Sequence, residues 1–125
     1  MLSQFLSFDL VNEPPNPGEH GMTRKNHATL IRCTVASIRA IDPNREMIIG
    51  EFGCFNRTPN DIAMRWFTDL LSVFKEFKWG YAMWNFQGPF GIIEHGRPGG
   101  SLEFVAGYHV DRALLDLMLE SRVSQ

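Results

Sequence analysis

The 125 residues are 44% hydrophobic, 12% aromatic and 21% charged, enough apolar mass for one folded domain to bury a core. This excludes a disordered tail, a collagen-like repeat and a disulfide-stapled miniprotein. Twelve basic and fourteen acidic residues leave a net charge of -2 with no block of either sign, so neither a nucleic-acid nor a membrane surface is expected.

Residues 3–11 are β-prone and largely apolar and run into Asn12-Glu13-Pro14-Pro15, where two prolines end a strand at Glu13. Residues 14–21 read as a loop. Ala28, Ile31, Val35 and Ile38 then recur at helical spacing until Asp42-Pro43-Asn44 breaks the pattern, which predicts a helix over 25–41. Residues 46–52 read as a second strand, apolar on both faces as in a parallel sheet covered by helices, and Gly53 allows a sharp turn after it. Thr58-Pro59-Asn60-Asp61 predicts a helix start, with Thr58 as N-cap, Pro59 as first helical residue and Asp61 reaching back. Ala63, Trp66, Phe67, Leu70, Phe74 and Phe77 give that helix a broad apolar stripe. Residues 79–86 read as a third strand, and 87–107 as a Gly- and Pro-rich loop with room for a small hairpin. The last helix is expected over 111–121, with Leu114, Leu117 and Met118 inward.

Strand followed by helix, three times over, predicts an α/β fold with a parallel sheet in a single domain over 1–125. Each expected strand ends in polar residues: Asn12-Glu13, Glu51 and Trp84-Asn85. In parallel α/β folds ligands sit beyond the carboxyl ends of the strands, so these residues are the candidate site. Glu13 and Glu51 are the candidate catalytic pair. Cleaving a glycosidic bond with retention needs two carboxyl groups about 5–5.5 Å apart, one protonated and one ionised. Neighbouring strands lie ~4.8 Å apart, which brings such a separation within reach. Asn12 can hydrogen-bond a sugar hydroxyl, and Trp84 offers a face on which a pyranose ring stacks.

Asn12-Glu13-Pro14, Ile49-Gly50-Glu51-Phe52-Gly53 and the run Trp79-Gly80-Tyr81-Ala82-Met83-Trp84-Asn85-Phe86, with Gly88-Pro89-Phe90-Gly91 after it, resemble glycoside hydrolase family 5. That family includes cellulases and related β-glycanases built on a (β/α)8 barrel. The resemblance implies Glu13 as acid/base, Glu51 as nucleophile, Asn12 as partner of the sugar 2-hydroxyl and Trp84 as sugar platform, with Asn85 beside it as a further substrate-binding residue. It implies a carbohydrate substrate, a β-linked glucan or glucoside, and no cofactor. Full-length relatives are commonly secreted, whereas Met1-Leu2-Ser3-Gln4 lacks the basic start of a signal peptide.

The chain begins at what would be the fourth strand of such a barrel. It also lacks the family's His-X-Tyr pair; Gly107-Tyr108-His109 has the opposite order. The expected architecture is therefore a partial (β/α)8 barrel of about three βα units. Such a sheet has open edges and an uncovered apolar face, so self-association into a homo-oligomer is expected to complete it. Alternative readings are a catalytically inactive half-barrel that at most binds sugar, and an interaction module that dimerises through its sheet.

Other residues carry weaker signals. His20, His27, His95 and His109 show no zinc-ligand spacing, so no metal site is expected. Cys33 and Cys54 are read as free thiols. Glu94, His95 and Arg97 fit a solvated loop better than a sugar contact.

Overall fold

The computed structural model describes residues 18–122. The chain divides into two compact units, Met1–Glu46 and Met47–Gln125. The expected first strand, with Asn12 and Glu13, lies outside the described residues.

In the first unit, helix α1 spans Arg24–Ile41. Thr23 caps its start: the backbone there is extended, and the hydroxyl accepts the Asn26 N–H at 3.0 Å. The Asp42-Pro43-Asn44 stop falls where the sequence places it. Arg39, in the last turn, donates to the Pro43 and Arg45 carbonyls at 2.6 and 2.7 Å and holds the chain reversal.

The second unit runs β1 (Ile48–Phe52), α2 (Asn60–Phe77), β2 (Gly80–Met83), β3 (Glu103–Val105), β4 (Tyr108–Val110) and α3 (Arg112–Glu120). Strands β1 and β2 pair in parallel, as a strand–helix–strand unit requires. Ile49 is opposite Tyr81 and Phe52 opposite Met83, so β1 uses one residue more than β2 over the same span. The irregularity has the two-against-one count of a β-bulge, with Gly50 and Glu51 facing Ala82.

Helix α2 presents Ala63, Phe67, Leu71 and Phe74, a stripe at helical spacing, to a core completed by Phe52 and Leu114. Phe52 sits edge-on to Phe67, Phe74 and Tyr81, with ring centroids 6.2, 5.4 and 5.5 Å away, the arrangement that ring quadrupoles favour. Leu117 and Met118 pack against this core from α3, as expected. Trp66 and Phe77 depart from the expected stripe and are substantially exposed at its margins. Both lie toward the same edge of the buried face, on the side of Leu70, well away from Leu71.

Three expectations need correction. Thr58 does not cap α2: the helix starts one residue later, after Pro59, with no side-chain cap. The Asp61 carboxylate pairs instead with Arg65 at 3.0 Å, while the Asn60 N–H is taken by the Pro98 carbonyl from a distant loop. Strand β1 is not covered on both faces among the described residues. Ile49 and Phe52 face the core, whereas Ile48, Gly50 and Glu51 are exposed, because α2 and α3 pack on one side only. Finally, His95 and Arg97 are no solvated loop: they are 1% and 4% exposed.

The small hairpin falls at the end of the expected loop. β3 and β4 are antiparallel and joined by Ala106-Gly107, both at positive φ (51° and 90°), as two-residue hairpin turns demand. Bridges from Val110 to Ile93 and from Ile93 to Gln87 extend this hairpin back to the segment leaving β2.

Candidate active site

The site is built at the carboxyl end of the β1–β2 pair. Phe52 and Met83 form the last rung, and the Trp84 N–H continues the ladder to the Phe52 carbonyl at 2.8 Å. Phe52 points into the core, so its neighbour Glu51 is carried to the opposite, exposed face. Trp84 follows Met83 in the same way and is 52% exposed. Without the bulge, alternation of side chains from Ile49 would turn Phe52 away from the core. The extra residue keeps Ile49 and Phe52 in the core while leaving Glu51 outside.

Gly53 makes the junction of the two strand ends possible. The Trp84 carbonyl oxygen lies against its Cα, where any Cβ would overlap it. Beyond Trp84 the peptide to Asn85 is cis. Asn85 is half-buried; its Oδ1 is buried with no hydrogen-bond partner among the described residues, and the turn at Gly88 packs over its amide. Phe86, next along, is strongly exposed. The structure thus places Glu51, Trp84 and Asn85 at one end of one sheet. Asn12 and Glu13 lie outside the described residues.

Sequence reasoning missed the polar network beneath this surface. The buried Asp111 carboxylate accepts the Leu114 N–H at 3.0 Å, capping α3, and holds His95 Nε2 at 2.9 Å. His95 Nδ1 accepts the Arg97 N–H at 2.9 Å, so Nε2 is the nitrogen that carries the proton toward Asp111. Arg97 Nη2 donates to the Cys54 carbonyl at 2.8 Å, and its guanidinium lies 5.7 Å from the centre of the Phe67 ring. Asn56 Nδ2 donates to the His95 carbonyl at 2.7 Å. One loop therefore ties together the segment leaving Glu51, the start of α2 and the start of α3. The only sequence signals were Asp111 at a helix start and the glycines flanking Arg97.

Among the described residues no cluster of His, Cys, Asp or Glu could hold a metal ion, and no helix is long and apolar enough to cross a membrane. Cys33 and Cys54 are free thiols.

No protein-family profile and no curated protein matches the chain. A solved structure does: a glycoside hydrolase crystal structure, 41% identical, with a TM-score of 0.62 over 95% of this chain and 61% of that one. This chain thus spans 61% of that hydrolase's length. The likeness supports a glycoside hydrolase fold for this mixed α/β chain with its short parallel sheet.

Proposed function

We propose that the chain is a retaining glycoside hydrolase of family 5, cellulase-like, acting on β-linked glucans or glucosides. The observation that carries this reading is the placement of Glu51 and Trp84, both exposed, on neighbouring strand ends at the carboxyl end of the parallel sheet. Likeness to a solved glycoside hydrolase along nearly the whole chain supports it.

In this mechanism a pyranose ring stacks on Trp84, with Asn12 and Asn85 holding its hydroxyls. The ionised Glu51 carboxylate attacks the anomeric carbon while protonated Glu13 gives its proton to the departing oxygen. A water molecule then attacks the glycosyl ester on Glu51, losing a proton to Glu13, and stereochemistry is retained.

The test is hydrolysis of p-nitrophenyl β-cellobioside and β-glucoside by wild type, Glu13→Ala and Glu51→Ala. Loss of about 10²–10⁴-fold in both variants is expected. Azide should rescue Glu51→Ala as a glycosyl azide of inverted configuration. A Glu51→Ala variant that keeps the wild-type rate refutes the reading.

A second reading draws on coverage, since the chain spans 61% of the matching hydrolase. It is a sugar-binding partial barrel without turnover, recognised by cellobiose binding with no hydrolysis above either variant. Both readings include a homo-oligomer that covers the exposed Ile48 face, and light scattering on a size-exclusion column checks it; a monomer at micromolar concentration counts against it.

A further inference from the structure

Across the extension that follows Trp84, side chains form a continuous exposed row. Gln87 Nε2 donates to Glu94 Oε2 at 2.6 Å. Glu94 Oε1 lies 4.0 Å from His109 Nδ1, and the His109 ring is 5.2 Å from that of Phe104. The backbone explains the alignment. Ile93 and Val110 are bridged and buried, so their neighbours Glu94 and His109 point outward together. Phe104 is the Cα partner of His109 and shares its face.

Two features of this row lack a folding rationale. Phe104 is 70% exposed at the centre of a three-residue strand, where a polar residue would serve the hairpin equally well. Glu94 holds a left-handed backbone (φ 51°), unfavourable for a residue with a side chain, secured by its N–H to the His109 carbonyl at 2.9 Å. A flat apolar ring beside a carboxylate and an amide matches a sugar's two kinds of surface, its C–H face and its hydroxyl edge. The row also starts only three residues beyond Trp84.

We infer that Gln87, Glu94, His109 and Phe104 form an additional saccharide-binding strip that holds the distal units of a β-linked glucan chain. Phe104 carries the stacked ring, and Glu94 and Gln87 take the hydroxyls. The strip crosses three strand spacings of ~4.8 Å, roughly 14 Å in all, about the length of three pyranose units. This deepens the proposed function and rests on its substrate class: the substrate is an oligosaccharide or polymer longer than a disaccharide.

The test compares wild type, Phe104→Ala and Phe104→Trp in calorimetric titrations with uncleavable sulfur-linked analogues of cellobiose and of cellohexaose or laminarihexaose, whichever hexaose binds more tightly. Urea denaturation of each variant is followed alongside as a check on the fold. Wild type is expected to bind the hexaose about tenfold more tightly than cellobiose. Phe104→Ala should lose that advantage, Phe104→Trp keep it, and both should retain cellobiose binding. No hexaose preference in wild type, or a preference that survives Phe104→Ala, overturns the strip. These outcomes are independent of the Glu51→Ala result: hydrolysis dependent on Glu51 with an unchanged Phe104→Ala titration leaves the enzyme reading standing and removes the strip, whereas a Phe104-dependent titration without hydrolysis does the reverse.

Discussion

Gly53 shows how one missing methyl group shapes the candidate site. Its Cα faces the Trp84 carbonyl so closely that a Cβ would overlap the oxygen, with the Phe90 Cβ only 3.3 Å away on another side. Gly53→Ala should therefore cost about 1–3 kcal/mol in urea denaturation, the usual range for overpacking. It should also displace Trp84, visible as altered tryptophan emission. Tyr81 presents a different case. Its hydroxyl donates to the Met118 carbonyl at 2.9 Å, and burial pushes its pKa above the ordinary value near 10, with Arg122 pulling weakly the other way. A raised pKa means that folding favours the neutral phenol, so the stabilisation is complete below about pH 10 and is lost as pH climbs through the folded pKa. Tyr81→Phe should lower stability at pH 7 by about 0.5–1.5 kcal/mol, the worth of one hydrogen bond. It should also flatten the alkaline end of the stability–pH curve; a curve still as steep as wild type above pH 10 contradicts this assignment.

At the scale of elements, helix limits were legible where local chemistry sets them. Apolar spacing and the Asp42-Pro43-Asn44 breaker place the end of α1, and the Asp111 start of α3 appears as written. The closure that ends α2 was not legible. Lys78 takes a left-handed conformation (φ 55°), the Trp79 N–H returns to the Phe74 carbonyl at 2.8 Å, and the two rings lie 6.4 Å apart, a Schellman closure with its hydrophobic contact. A lysine carries no sequence mark of such a role. Lys78→Gly should raise stability by about 0.5–1 kcal/mol, measured as a higher urea midpoint at unchanged slope. The start of α2 was misread for a related reason. Thr58-Pro59-Asn60-Asp61 has the pattern of a local cap, but the Asn60 N–H finds its acceptor nearly forty residues away, at Pro98.

At the scale of the second unit, the loop carrying the His95–Asp111–Arg97 network joins the exit of β1 to the starts of two helices. Asp111 serves two partners at once, so Asp111→Ala removes a helix cap and leaves the His95 N–H buried without an acceptor. The expected loss is about 2–4 kcal/mol by denaturation. Asp111→Asn, which can keep the cap, should fall between this variant and wild type. A loss no larger than a cap alone would show that His95 does not depend on Asp111.

Among the described residues, the kinds of the main elements, their order and the polar strand ends Glu51 and Trp84-Asn85 are local properties, carried by residue periodicity, prolines and short motifs, and they could be read along the chain. Which way Glu51 faces could not. It depends on a bulge that exists only once β1 is paired with β2. Nor could the burial of His95 and Arg97, since a charged residue is buried only when partners distant in the chain satisfy its donors and acceptors. The exposed row of Gln87, Glu94, His109 and Phe104 belongs with these: its members are scattered over residues 87–109 and meet only through strand pairing. Pairing and burial are long-range relations, and the tertiary structure alone decides them.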